Sequence, residues 1–80
     1  MRAAPALHTQ TTAREDPVAA LCRRARSEYL EMPGLRLTTA QATRLWAVDR
    51  ATSERVLHTL AATGFLLKDR EGAYLRATVA

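Results

Sequence analysis

The sequence has little of several residue types, and each shortage excludes a class of protein. Only one of its 80 residues is a cysteine. A single thiol, Cys22, excludes an internal disulfide and is typical of a reducing compartment, so we expect a cytoplasmic protein. No apolar run approaches the roughly 20 residues that a membrane-spanning helix needs. The first residues also lack the apolar segment of a secretory signal, so we expect no membrane partner.

The motifs of enzymes and of metal sites are missing as well. The sequence contains no nucleophile elbow, no phosphate-binding glycine loop and no carboxylate pair on a recognisable scaffold. Its three glycines each stand where a helix ends or a turn is expected. Cys22, His8 and His58 do not have the spacing of metal ligands. We therefore expect a protein that is not an enzyme and that uses no metal or cofactor.

Positive charge is in excess, at twelve basic residues against eight acidic ones. Residues 1–16 carry two of each sign, so the whole net charge of +4 lies on residues 17–80. Such an excess suits a polyanionic partner, but many inert bacterial domains carry as much. Charge alone therefore does not assign a partner.

The chain is long enough for one small domain, which buries only about 60% of its unfolded surface. Residues 1–15 have no periodic pattern and are expected to form a flexible tail. Asp16 can cap a helix and Pro17 is tolerated at its first position, so a first helix is predicted from Pro17 to about Glu31. Its apolar face consists of Val18, Leu21, Cys22, Ala25 and Tyr29.

Two further helices are predicted, joined by Ala47-Val48-Asp49. Thr38 or Thr39 caps the second helix, which ends at Trp46 and turns Ala42, Leu45 and Trp46 inward. Asp49 caps the third helix, Arg50–Thr63, and Gly64 ends it in a left-handed conformation. The apolar stripe of the third helix is Ser53, Val56, Leu57, Leu60 and Ala61.

A hairpin follows the third helix directly. Its predicted strands are Phe65-Leu66-Leu67 and Ala73-Tyr74-Leu75, around a tip of Asp69-Arg70-Glu71-Gly72. The short alternating segment Leu35-Arg36-Leu37 is predicted to add an edge strand. Trp46 and Tyr74 fall in apolar patterns and are expected in the core, as is the thiol of Cys22.

This order of helix, turn, helix and two-stranded wing resembles the winged helix-turn-helix domain, and is closest to the DNA-binding halves of IclR-type and MarR-type bacterial transcription regulators. The most specific segment is Arg55-Val56-Leu57-x-x-Leu60-x-x-x-Gly64-Phe65-Leu66. The resemblance implies a mainly α fold with a small β-hairpin (α+β), a three-helix winged helix-turn-helix over residues 16–80. The sequence departs from the family pattern at Thr43, where a small alanine is usual, and at Ser53, where an apolar anchor is more common.

The resemblance further implies that duplex DNA is the partner. The third helix, projected at about 100° per residue, turns Arg55 and His58 away from its apolar stripe. Arg55 could then contact guanine in a bidentate manner, Thr52 a thymine methyl or a phosphate, and Arg50 a phosphate. The predicted DNA contacts are Arg50, Thr52, Arg55, His58, Thr59, Lys68 and Arg70.

The hairpin is the second candidate contact. Lys68 and Arg70 flank its tip, and Arg76 ends its second strand, where arginine could reach a minor groove or a phosphate. Asp69 and Glu71 make the tip close to neutral, so a simple lid over the core is an equal alternative.

The polar residues of the third and first helices also have explanations that involve no binding. A solvated helix face accounts for ordinary Arg and Thr residues on the third helix. Arg23, Arg24 and Arg26 of the first helix are expected on an exposed face, with Glu28 paired to Arg24. A contact with the DNA backbone or the docking of a partner is the other explanation for these three arginines.

One module of this size touches too few phosphates for tight specific binding at physiological salt. We therefore expect a homodimer or a larger protein assembly. The expected function is the regulation of transcription. The alternative function is a winged-helix module for protein–protein interaction, or an accessory subunit without DNA contact. The weak charge excess and the mixed-sign hairpin tip favour this alternative.

Overall fold

Three helices and a three-stranded antiparallel sheet form a mixed α+β fold. The structure is a computed structural model and describes residues 16–77. In chain order the elements are α1 (Pro17–Glu31), β1 (Arg36–Thr38), α2 (Thr39–Trp46), α3 (Arg50–Ala62), β2 (Leu66–Lys68) and β3 (Ala73–Arg76). The tail predicted at residues 1–15 lies outside the described residues.

Each helix begins at a residue whose side chain accepts a hydrogen bond from a free backbone N–H. Asp16 accepts from Val18 at 3.2 Å, with Pro17 in the first turn of α1. Thr38 caps α2 in a reciprocal capping box with Gln41. Asp49 accepts from the N–H of Thr52 at 3.1 Å at the start of α3. The predicted helix starts are confirmed, and Thr38 is the cap of α2.

A left-handed residue makes the tight joint between α2 and α3. Ala47 has φ 55 and follows the last residue of α2, and the N–H of Val48 donates to the carbonyl of Thr43 at 3.3 Å. The remaining joint residue, Asp49, is already the cap of α3. The joint predicted from the sequence is confirmed, although its left-handed position holds alanine and not glycine.

The end of α3 is a Schellman motif. Gly64 has φ 88, and its N–H donates to the carbonyl of Ala61, while the N–H of Phe65 donates to the carbonyl of Leu60. These two bonds satisfy carbonyls that the helix leaves free. The left-handed role predicted for Gly64 is confirmed, and the helix ends at Ala62, one residue before the predicted Thr63.

Gly64→Val is expected to lower the free energy of unfolding by about 1 to 2 kcal/mol, because a β-branched residue is strained at positive φ. A Cβ at Gly64 would meet no atom within 4 Å, so the cost is conformational and involves no clash. Denaturant unfolding measures the change. Gly34→Val is the matched control, since Gly34 has equal space and no positive φ. Equal losses in the two variants would contradict this explanation.

The sheet has the strand order β1-β3-β2. Leu37 of β1 and Lys68 of β2 both lie opposite Tyr74 of β3. The predicted edge strand and hairpin are therefore present. β1 and β2 each start one residue later than predicted, and β3 ends one residue later, at Arg76.

The core lies between the three helices and one face of the sheet. Trp46 and Tyr74 are only 3% and 2% exposed, which confirms both as core residues. Tyr29 of α1 is fully buried, and its hydroxyl donates to the carbonyl of Tyr74 at 2.7 Å. Burial raises the pKa of Tyr29 to about 12. This hydrogen bond ties α1 to the central strand.

Two core assignments need correction. Leu45 was expected to face inward but is 46% exposed. The buried residues of α2 are Ala42 and Trp46, and Thr43 contacts α3 on the side of α2 away from Leu45. Leu45 therefore lies outside the buried face. Cys22 is half-buried and only packs against the core. Its desolvation, with the nearby charge of Asp16, raises the pKa of the thiol, which suits an unreactive cysteine.

Across residues 16–77, none of the helices combines the length and apolar character that crossing a membrane requires.

Candidate nucleic-acid interface

The outward face of α3 carries several of the residues predicted to contact DNA. Arg55, His58 and Thr59 are exposed, while the opposite side of the helix buries Ser53, Val56, Leu57 and Leu60. Periodicity alone predicted this division correctly, because a helix with one buried stripe must present the remaining residues to solvent.

The first turn of α3 is more constrained than the sequence indicated. The Nε of Arg50 lies 3.3 Å from a carboxylate oxygen of Glu54, one turn further along. Thr52 is half-buried, and hydrogen bonds from its side chain and backbone hold the pKa of Asp49 below its usual value. The pair with Glu54 offsets part of the Arg50 charge but engages only its Nε, and Thr52 lies at the edge of the exposed face.

Tyr74 links the surface of α3 to the hairpin. The ring of His58 lies 6.2 Å from the Tyr74 ring, and the Nζ of Lys68 lies 5.8 Å from the same centroid. A basic group on β2 and an exposed residue of α3 thus flank one buried side chain. The exposed face of α3 and the hairpin consequently form one surface.

Asp69 organises the hairpin tip. One of its carboxylate oxygens accepts from the N–H groups of Glu71 and Ala73, at 2.9 and 3.0 Å. The N–H of Gly72, which has φ 88, donates to the Asp69 carbonyl. These bonds fix the turn and leave Arg70 exposed at its tip.

Arg36 of β1 forms ion pairs with both acidic residues at the tip and offsets one of their two negative charges. Its Nη2 lies 2.7 Å from a carboxylate oxygen of Asp69 and 2.7 Å from one of Glu71. These bonds raise the pKa of the Arg36 guanidinium. With Arg36 counted, the tip region that includes Lys68 and Arg70 carries a net positive charge. Sequence reasoning treated the tip as nearly neutral and missed Arg36, which is 33 residues from Asp69.

Acid is expected to remove the stabilisation that Asp69 provides. Hydrogen bonding from the N–H of Ala73 is the main cause that lowers the pKa of Asp69, with Arg36 contributing further. The folded state therefore binds this proton less readily than the unfolded state does. The stabilisation is complete above the unfolded pKa of about 4 and is lost as the pH falls through the folded pKa.

Thermal melts of wild type and Asp69→Asn across a pH series measure this effect. We expect wild type to melt higher at pH 7 and the difference to disappear in acid. Arg36→Gln should also reduce the pH dependence, because it removes one of the groups that stabilise the carboxylate. A difference in melting temperature that stays constant with pH would contradict the assignment.

Arg76 does not extend the basic surface of the tip. Its guanidinium lies 4.7 Å from the centroid of Phe65, and that of Arg26 lies 4.6 Å from the same ring. Among residues 16–77 the Nε of Arg76 is buried without a hydrogen-bond partner, while the guanidinium packs on the Phe65 ring. Arg76 pairs with Leu66, at the opposite end of the hairpin from the tip.

The arginines of α1 have structural contacts of their own. Arg24 pairs with Glu28 at 3.0 Å, as predicted from their spacing. The other oxygen of Glu28 accepts from the indole N–H of Trp46 at 2.9 Å. Glu28 therefore joins α1 to α2, a role that the sequence pattern did not indicate.

Within residues 16–77, no three His, Cys, Asp or Glu side chains are grouped closely enough to hold a metal ion. No model of a known protein family, no curated protein and no solved structure matches this chain. Any function must therefore be argued from the geometry and charge described above.

Proposed function

We propose that this chain is a winged helix-turn-helix module of a bacterial transcription regulator, which binds duplex DNA through α3 and the hairpin. The order of elements supports the proposal, since α2, a tight left-handed joint and α3 are followed at once by a hairpin. In a helix-turn-helix the two helices cross steeply, which leaves the far side of the second helix protruding. Such a helix can enter a major groove.

The observation that carries the proposal is the shared surface of α3 and the hairpin. His58 and Lys68 flank Tyr74, and Arg36 pairs with both tip carboxylates, so that the tip with Lys68 and Arg70 is net positive. Lys68 and Arg70 of the hairpin can then bind a polyanion beside the exposed side of α3. Neither element alone is strongly basic, but together they present one side of the protein to a duplex.

Each element has a distinct role in the proposed complex. Arg55 of α3 reads a base edge in the major groove, with His58 and Thr59 beside it. Arg50 binds a phosphate through its Nη groups, and Lys68 and Arg70 contact the backbone or minor groove. Two copies, or a larger assembly, supply the number of phosphate contacts that specific binding needs.

A second candidate, docking of a protein partner, is favoured by exposed apolar side chains. Leu45 on α2 and Leu67 on β2 are 46% and 47% exposed, although both are large and apolar. Leu67 lies opposite Leu75 on the outer face of the sheet, away from Tyr74. Selection from a random duplex pool separates the two functions, because a docking module would enrich no sequence.

Arg55→Ala is expected to cost about 1 to 3 kcal/mol of specific affinity and to relax the preference at one base pair. The cause is the loss of a bidentate contact from an exposed residue on the face opposite Val56. Binding to selected and to scrambled duplexes measures both effects. Arg23→Ala on α1 is the charge-matched control and should leave the base preference unchanged. An equal loss on every duplex would assign Arg55 to a phosphate.

A further inference from the structure

The side chains of Arg26, Phe65 and Arg76 form a cluster, the Phe65 cluster, at the end of the hairpin opposite its tip. The N–H of Ala77 donates to the carbonyl of Phe65 at 3.0 Å, which holds the end of β3 beside the aromatic ring. The ring of Tyr29, which lies on α1 as Arg26 does, meets the Phe65 ring edge-on at 6.3 Å. Two elements therefore bring their guanidinium groups to one ring, at 4.6 Å from its centroid for Arg26 and 4.7 Å for Arg76.

The positive charge of the Phe65 cluster has no acidic partner within residues 16–77. The guanidinium groups of three other arginines each bind a carboxylate, namely those of Arg24, Arg36 and Arg50. Because both arginines of the cluster pack on the same ring, their charges lie within about 10 Å of each other, roughly the Debye length at 0.1 M salt. The face of an aromatic ring offsets only part of such a charge. The cluster is therefore a site of uncompensated positive charge that attracts anions.

The hydrogen-bond donors of the cluster are held in place before an anion arrives. Arg76 is half-buried, and its Nε has no hydrogen-bond partner among the described residues. Packing on the ring fixes the plane of a guanidinium, so that less side-chain freedom is lost when it binds. A guanidinium in a fixed plane can bind a carboxylate through two parallel hydrogen bonds. Carboxylates of a partner are therefore suitable ligands for Arg26 and Arg76.

An exposed apolar side chain continues this surface along α1. Leu30 follows Arg26 by four residues, so both lie on one face of the helix, and Leu30 is 54% exposed. The Phe65 ring between the arginines is only half-buried. A nucleic-acid backbone offers phosphates but few apolar groups to cover such side chains, whereas a peptide can carry carboxylates and apolar side chains together. Arginine and aromatic residues are also enriched in protein interfaces.

We propose that the Phe65 cluster and Leu30 bind an acidic segment of a partner protein, in which carboxylates flank an apolar side chain. The carboxylates pair with Arg26 and Arg76, and the apolar side chain packs against Leu30 and the accessible part of the Phe65 ring. This surface lies on α1 and at the far end of the hairpin from its tip, apart from the residues proposed to contact DNA. The proposal therefore goes beyond DNA binding and does not depend on it.

Synthetic peptides test the site on the full-length chain. We expect acetyl-Glu-Glu-Leu-Glu-Glu-amide to bind with a Kd of about 1 mM or lower. Its titration should shift two nitrogen–proton NMR signals saturably, the backbone N–H of Phe65 and the Nε–H of Arg76, which burial protects from exchange with water. Replacing the four glutamates by glutamine should weaken binding about tenfold, because two exposed ion pairs are lost. The absence of a saturable shift at both signals would overturn the site.

Charge-matched variants locate the binding. Arg26→Gln/Arg76→Gln should weaken binding of the acidic peptide about tenfold, while Lys68→Gln/Arg70→Gln, which removes the same charge at the tip, should leave it within about twofold. Melting curves verify the fold. If Arg76→Gln does not fold, the exposed Arg26→Gln alone should still weaken binding about threefold, the value of one exposed ion pair. Equal losses in the cluster and tip variants would show unspecific attraction and would overturn the proposal.

The apolar half of the surface is tested separately. A peptide with glycine in place of its leucine should bind wild type more weakly than the leucine peptide does. Leu30→Ser should remove this difference, because the apolar contact is then absent in either case. A preference for leucine that persists in Leu30→Ser would exclude Leu30 from the surface.

Duplex binding distinguishes a protein partner from a nucleic acid. We expect Arg26→Gln/Arg76→Gln to leave the slope of log K against log salt for duplex binding unchanged. A slope that loses about 0.9 per residue would assign the cluster to phosphates and overturn the docking of a protein. A chain that binds the acidic peptide at the cluster but binds no duplex would refute the proposed DNA binding and support the docking surface.

Discussion

Replacing Arg50, Lys68 and Arg70 together by glutamine is expected to remove most of the salt dependence of duplex binding. If each residue neutralises one phosphate, the slope of log K against log salt loses about 0.9 per residue, near 3 in all for one monomer. All three side chains are exposed, so the substitutions leave the core and Gly64 untouched. Salt titrations of duplex binding measure the slopes, and melting curves verify the fold.

Intermediate variants distinguish the three contacts. Lys68 and Arg70 make no ion pair within residues 16–77, whereas Arg50 is already paired with Glu54. We therefore expect the Lys68→Gln/Arg70→Gln double variant to account for most of the change. Glutamine at Arg23 and Arg26 of α1 is the control and should leave the slope unaltered. Identical slopes in wild type and a folded triple variant would exclude these residues as phosphate contacts.

The helix boundaries could be predicted from the sequence because their causes are local. A capping side chain acts within two or three residues, as for Asp16 with Val18 and Asp49 with Thr52. The same is true of Gly64, whose positive φ depends on the last turn of its own helix. Strand ends were displaced by one residue, because they depend on pairing with a strand that is distant in sequence.

The candidate site was predictable to the extent that it depends on periodicity. The exposed face of α3 follows from the stripe that contains Val56 and Leu60. The charge of the hairpin tip cannot be predicted from periodicity, because Arg36 reaches Asp69 only through the register of β1 with β3. Likewise, no spacing rule places Arg76 on Phe65. Contacts that cross between elements set the electrostatics of the surface.

Thr43 and Ser53, at which the sequence departs from the winged helix-turn-helix pattern that it resembles, contact each other. Their hydroxyl oxygens are 2.9 Å apart, and the Thr43 hydroxyl also lies 2.8 Å from the carbonyl of Thr39. Because a hydroxyl has one proton, Thr43 can donate to the carbonyl while Ser53 donates to Thr43. Ser53 is fully buried, so this bond satisfies a polar group at the contact of α2 with α3. The two departures thus form one interaction, which turns Thr43 and not Leu45 toward α3.

Thr43→Val is therefore expected to destabilise the protein by about 1 to 3 kcal/mol, because the shape is kept while the buried Ser53 hydroxyl loses its partner. Ser53→Ala should cost less, since Thr43 still bonds to the carbonyl of Thr39. The double variant Thr43→Val/Ser53→Ala should be more stable than the sum of the single changes predicts, because no hydroxyl is left unpaired.

Denaturant unfolding of the four proteins measures the coupling, which we expect to be about 1 kcal/mol or more in favour of the pair. Thr59→Val is the control, since Thr59 is exposed on α3 and the same substitution there leaves no buried hydroxyl without a partner. Strictly additive losses would show that the two hydroxyls do not interact, and the orientation of α2 would then need another cause.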